Sequence, residues 1–274
     1  MSAEPTAQPL AEPTAGSAAG TFSPDPAAAP FRAQVLAQAS MEARLLLRNG
    51  EQLLIALVIP VVVLVGGVLG AERVGLTFSA PVADVLTPGV LALAVMSTSF
   101  TSLAIATGFE RRYGVIKWLG ASPLPRSGLL GGKVLALLAV EVLQVVVVSA
   151  VGLALGWHPT PGALGLVGAL LAAVLGTSAF ASLALAMAGS LRAEATLAGA
   201  NLVYLLLMAG GAVVLPADAY GSAGGWVTWL PSGALGESLR AGLLHGTVDP
   251  VGLAVLAVWT LAGALLTART FTWE

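Results

Sequence analysis

The chain has 274 residues, of which 57% are apolar and only 9% charged. Soluble domains carry roughly 25% charged residues, so this deficit, with its repeated apolar runs, excludes an ordinary soluble domain and puts the chain in a bilayer. The absence of cysteine excludes disulfides, thiolate-ligated metal and thiol catalysis; the net charge of −2 says less than where the charges fall.

Residues 1–30 are rich in Pro, Ala, Ser and Thr, with three acids and no base. Such a stretch buries too little apolar surface to offset its chain entropy, which predicts a disordered tail. It lacks the basic start and apolar core of a signal peptide. Residues 31–50 read as an amphipathic helix. Val35, Leu36, Ala39, Ala43, Leu46 and Leu47 fall on one face, Gln34, Gln38, Arg44 and Arg48 elsewhere, with Met41 and Leu45 on the polar side. This helix either lies in the membrane interface or packs on the bundle.

A span needs roughly 20 apolar residues at about 1.5 Å rise each. Six runs qualify: 52–70, 86–108, 134–156, 163–190, 197–215 and 251–268. Pro60 sits inside the first as an expected kink. With the N-terminus inside, ten Lys and Arg fall on the inner side: Arg32, Arg44, Arg48, Arg111, Arg112, Lys117, Arg126, Lys133, Arg192 and Arg269. Only Arg73 and Arg240 fall outside, so both termini are expected on the cytoplasmic face. The outside connection 216–250 carries Tyr220, Trp226 and Trp229, residues that favour the interface. Leu235, Leu239 and Leu243 recur at helical spacing, with Ser232 as an N-cap. The reading is a short helix or helix pair entering the outer leaflet, the alternative a loop lying on the surface.

Catalytic patterns fail one by one. The stretch 127–134, SGLLGGKV, lacks the first Gly of a phosphate loop and its Ser or Thr after the Lys. Ser178 has no base, because His158 and His245 lie in outside connections, and two remote histidines make no metal site. No catalytic residue and no metal ligand is assigned.

Glu141 is the one acidic residue well inside a run, with Gln144 on the same face. Ionisable groups at that depth face a cavity or a partner, so the pair either lines a substrate path or hydrogen-bonds to neighbouring hydroxyls. Thr98, Thr101 and Ser102 line one face of the second run, and Asn201, Tyr204 and Met208 one face of the fifth. These faces serve either a pathway or helix–helix bonding.

Residues 109–133 form the most charged stretch. Residues 110–119 read as a short amphipathic rod, with Val115, Ile116 and Leu119 apolar and Glu110, Arg111, Arg112 and Lys117 polar. Pro123 and Pro125 end it and Gly114 and Gly120 loosen it. The pattern Phe109-Glu110-Arg111, Gly114, Leu119, Ser122-Pro123, Arg126 and Lys133 resembles the loop between the second and third spans of type-2 ABC transporter permeases. Val214-Leu215-Pro216 and Trp229-Leu230-Pro231 look like that family's outer segment, and the resemblance covers about residues 31–268. It implies an all-α fold of six spans, an interfacial N-terminal helix and a coupling helix. Glu110, Arg111, Arg112, Val115, Lys117 and Leu119 would then seat in a separate ATPase subunit. ATP and magnesium would belong to that subunit, with no cofactor here and no enzyme activity of this chain's own. It also implies a second permease copy as a homodimer, contact with membrane lipid, no nucleic acid, and a bacterial plasma-membrane exporter of a small amphiphile, drug or lipid. The expected translocation path is Glu141, Gln144, Thr98, Thr101, Asn201 and Tyr204. An ion-gradient transporter and a non-transporting anchor or sensor bundle are the alternatives.

Overall fold

A computed structural model describes residues 29–271 apart from 49, 72, 74, 76 and 121–123. The expected tail lies almost wholly outside the described residues, as do Ser122 and Pro123. Every regular element among the described residues is helical: α1 Phe31–Arg48, α2 Gly50–Gly70, α3 Val82–Met96, α4 Leu103–Arg112, α5 Val115–Gly120, α6 Arg126–Ala154, α7 Gly162–Ser190, α8 Ala193–Gly210, α9 Gly224–Val227, α10 Pro231–Leu243 and α11 Pro250–Thr270. A π segment, Ser97–Ser102, joins α3 to α4 into one rod, and a 3-10 stretch, Ala217–Ala223, precedes α9.

Among the described residues, five rods are long and apolar enough to cross a membrane: Val82–Arg112, Ser127–Ala154, Gly162–Ser190, Ala193–Gly210 and Pro250–Thr270. These match the second to sixth expected runs. The first expected run falls on α2, whose described apolar stretch, Ala56–Gly70, is shorter. Pro60 is accommodated inside α2.

The ends of the runs differ from expectation, and each difference has a local cause. The second run goes on to Arg112, because Glu110 and Arg111 find partners inside the bundle. Helix α6 starts at Arg126, eight residues before its apolar run, since Pro125 sits at the N-cap and Gly128 and Gly132 let it pass close to Leu124 and α1. Helix α8 stops at Gly210 rather than 215, because the next carbonyls bond to Arg240 instead of continuing the helix.

Helix α3 is the central pillar. All its residues but Val82 are buried, and it packs against α2, α6, α7 and α10. Lipid-length rods that are apolar all round are what a fully surrounded position requires. Around it the molecule has two polar ends. One gathers α1, α5, the end of α4, the start of α6, and the turn from α7 to α8. Phe271, just past α11, reaches this end too, where it packs on Gly189. The other gathers the start of α3, the end of α6, the start of α7, and α10: His158 N donates to Asp84 Oδ1 at 2.6 Å, and Gly165 of α7 lies directly against Gly242 and Gly246.

The α1 face differs in part. Ala39 is buried and Leu45 exposed as expected, but Gln38 is buried and Leu36 and Leu47 are exposed. The helix turns its Val35–Gln38–Glu42 side toward α6, because the charge on Lys133 outweighs the apolar stripe in setting its rotation.

Candidate functional site

At the α5 end, the expected ten-residue rod is two pieces. Helix α4 carries Glu110, Arg111 and Arg112 on the end of the membrane rod, and α5 begins afresh at Val115. The break is at Gly114, whose φ of 74° is a left-handed value that costs glycine nothing. Tyr113 N and Gly114 N close the end of α4 by donating to Phe109 O and Arg111 O.

The charges assigned to one surface therefore point in different directions. Glu110 turns inward. Lys133 Nζ lies 2.8 Å from Glu110 Oε2 and 2.8 Å from Glu42 Oε1. Gln38 Nε2 donates to the same Glu42 oxygen at 2.9 Å. One ammonium, only 3% exposed, thus ties α1, α4 and α6 together. Two carboxylates around one buried cation each accept a hydrogen bond from it and offset much of its desolvation. Gly132 makes this possible, since a Cβ there would fall 2.7 Å from Gln38 Cγ. Arg111 donates from Nη1 to Ala188 O at 2.7 Å, near the C-terminus of α7, where the helix dipole favours a cation. Arg112 pairs with Glu194 in the first turn of α8. Of the expected coupling residues, Val115 and Lys117 are exposed and Leu119 is half-buried.

Beside them are two residues that the sequence reading did not single out. Trp118 is 82% exposed and Tyr113 70% exposed. Ile116 is buried beneath, so α5 is pinned to the bundle by one side and presents an aromatic–cationic face on the other. A Trp within a polar rod was the available signal.

Within the membrane rods a second cluster forms. Thr98 of the π segment donates to Gln144 Oε1 at 3.0 Å, and Gln144 Nε2 donates to Ala56 O at 3.0 Å. Thr177 of α7 donates to Glu141 Oε2 at 2.6 Å. Glu141 Oε1 and Thr101 Oγ1 are buried without a partner, and no Lys or Arg pairs with Glu141 among the described residues. A π turn widens a helix by one residue, and Thr98 here uses it to reach across to α6. Tyr204 is buried against the same segment, facing Ser97. Asn201 is not part of the cluster: it is exposed and donates to Leu197 O in its own helix. So Thr98 and Gln144 pair, Glu141 pairs with Thr177, and none of Thr98, Thr101, Glu141, Gln144 and Tyr204 lines any of the three described clefts. Gln144→Leu removes two interhelical hydrogen bonds and should cost about 1 kcal/mol. A thermal-unfolding midpoint measured in detergent that drops by a few degrees would be the expected reading; no drop would mean the bonds contribute nothing net.

At the far end, Arg240 is 3% exposed. Its Nη2 donates to Ala212 O at 2.9 Å, Leu215 O at 3.3 Å and Glu237 Oε1 at 3.0 Å. Its Nη1 donates to Val213 O and Val214 O, each at 3.3 Å. The guanidinium fork thereby serves the unwound segment after α8, where Ala212 holds a φ of 54°. Ser232 does not cap α10, which begins with Pro231; its hydroxyl donates to Gly211 O at 2.8 Å. Gly89 and Gly236 admit this backbone, since a Cβ at either would meet Val213 O or Val214 O within 2.8 Å. Trp259 Nε1 donates to Trp229 O and fixes the aromatic turn before α10.

An apolar cleft of about 410 Å³ opens between α6, α7 and α11, lined by Leu130, Val134, Ala181, Leu185, Ala264 and Phe271 among others. The hydroxyls along it, Ser178, Ser182, Thr260 and Thr267, all donate to backbone carbonyls, so its wall presents little free polarity.

No curated protein matches the chain. The family model described as ABC-2 type transporter matches residues 33–243, from the first turn of α1 to the end of α10. That stretch holds the α1–α4–α6 ion triad, the α5 surface and the Arg240 clamp, and α11 completes the bundle beyond it. A multi-pass helical membrane protein with that match belongs to the ABC-2 type transporter family, as a transmembrane permease component of an ABC transporter.

Proposed function

We propose that this chain is the membrane half of an ATP-driven exporter, with α2 as its first span, six spans in all, and both termini in the cytoplasm of a bacterium. The ten-to-two bias of Lys and Arg supports that orientation. Two copies form the pathway, and a separate ATPase subunit, holding ATP and magnesium, docks on α5. Residues 31–274 form the permease domain, and α1 lies in the interface with its exposed Leu36, Leu45 and Leu47 toward lipid.

The observation that carries the docking is the α5 surface. Tyr113, Val115, Lys117 and Trp118 stand out from the bundle, while Ile116 anchors the helix and Glu110 and Arg111 brace its base. Exposed Trp and Tyr are the residues most enriched at interface centres. In this reading Glu110, Arg111 and Arg112 transmit the push rather than receive it. Trp118→Ala should leave the unfolding midpoint unchanged and lower co-purification with the ATPase, or substrate-stimulated hydrolysis, at least about tenfold. Charge reversal at Arg111 or Arg112 would break internal bonds as well, so Trp118 is the cleaner probe. A Trp118→Ala protein with full stimulated hydrolysis would remove α5 as the docking element. Transport that needs a proton gradient but no ATP would favour an ion-driven carrier, with Glu141 as its coupling group.

The substrate is a small amphiphile, drug or lipid, and the apolar cleft between α6, α7 and α11 fits its hydrocarbon part. Glu141, which accepts from Thr177, and Gln144 do not line that cleft, and would reach the route only when α6 and its neighbours part.

A further inference from the structure

A cleft of about 430 Å³ opens where the ends of α4 and α7 meet the start of α8. Gly108, Arg111, Arg112, Arg192, Ala193 and Glu194 line it. Three guanidiniums face one carboxylate, so the wall carries a net charge of about +2 by simple count. The three are not equally engaged. Arg112 is paired with Glu194, and Arg111 spends one of its five donors on Ala188 O. Arg192 is exposed, and its side chain makes no hydrogen bond or ion pair among the described residues.

The wall also offers backbone donors. Helix α8 starts without any side-chain cap, so its first amides beyond Arg192 stay open beside the cleft. One turn on, Thr196 is fully buried against Gly108 with its hydroxyl unpartnered. Guanidinium forks with uncapped amides at the start of an 18-residue helix are the donor set that recognises a phosphate. The surface next to the cleft decides which phosphate. Leu191 is exposed just before α8, and Leu202, Leu205 and Leu206 are exposed on one face of it, so an apolar surface continues from the cleft along the helix.

We propose that this cleft holds the headgroup phosphate of an anionic phospholipid, its acyl chains lying along α8. The lipid bridges Arg192 to Arg111, and so joins the α7–α8 turn to the end of the rod that carries α5. The site needs a membrane and no ATPase, so it stands or falls separately from the docking at Trp118.

The purified full chain should be incubated in mixed micelles of phosphatidylglycerol and phosphatidylcholine, and its retained lipid counted by native mass spectrometry. Wild type should retain phosphatidylglycerol in preference. Arg192→Gln should lower that retention about fivefold, the contribution of one basic residue near a membrane surface, without moving the unfolding midpoint. Arg192→Lys should restore most of it. Equal retention by wild type and Arg192→Glu would overturn the proposal. Displacement of the lipid by millimolar inorganic phosphate would assign the cleft to a soluble phosphate and overturn the lipid. Retention of neither lipid, with Arg192 crosslinking to an acidic segment of the ATPase, would make it a protein contact and overturn it as well.

Discussion

Lys133→Met should destabilise the protein by about 3 kcal/mol or more, because removing one partner of a buried ion group leaves the others unpaired. Glu42 and Glu110 would then face each other across an apolar gap, 91 and 23 residues from position 133 in sequence but in contact in space. Glu110 is 23% exposed, which lets water relieve part of the cost and sets the estimate at the low end of the range for buried pairs. The readout is the unfolding midpoint in detergent, together with protease sensitivity of α1, which would lose its main polar tie to α6. The triple variant Glu42→Gln, Glu110→Gln, Lys133→Met removes every charge and should recover most of the loss, since a neutral group of similar volume often does as well as a buried ion group. A single variant as stable as wild type would show that the triad holds nothing together. A triple variant that is stable but fails to stimulate its ATPase would show instead that the triad's use is to hold the base of α5 at a set angle.

Arg240→Lys should be nearly as damaging as Arg240→Ala. The guanidinium reaches four consecutive carbonyls, Ala212 to Leu215, and the Glu237 carboxylate as well. An ammonium is a point charge with three donors and cannot span that arc. Each buried carbonyl left unmade costs about 1–3 kcal/mol. A loss of at least about 3 kcal/mol is therefore expected for either variant. The chain has no cysteine, so Leu215→Cys alone gives a clean reporter. Its labelling rate by a water-soluble maleimide should rise sharply when Arg240 is replaced. Unchanged labelling would mean that the segment is held by α3 and α10 packing and not by the clamp.

Both expectations concern residues whose partners the sequence did not show. Arg240 counts as an outside cation by its position between two apolar runs, and Lys133 as a topology signal at the head of another. A cation that close to a membrane rod needs partners, but which partners is decided by loops closing over long separations. Glu110, Arg111 and Arg112 show the same limit. Their spacing suggests one surface, yet a helix that runs one turn further than its apolar stretch sends each to a different neighbour. Asn201 and Tyr204, three apart, fell on opposite sides of the wall between interior and lipid, because α8 is buried along only a narrow stripe. Glu141, Gln144 and Thr98 were legible as polar residues inside the membrane; that Thr98 bonds to Gln144, Gln144 to Ala56 and Thr177 to Glu141 was not.

What the chain's order of residues determined alone was the class of the molecule and the place of its apolar rods. Burial in hydrocarbon demands a length of apolar residues that is local in sequence, and so can be counted there. Only the tertiary structure decided where α8 stops, which side of α1 is covered, and what each buried charge holds. Those outcomes depend on donors and acceptors brought together from remote segments, and desolvation makes a buried charge take whichever partner the packing supplies.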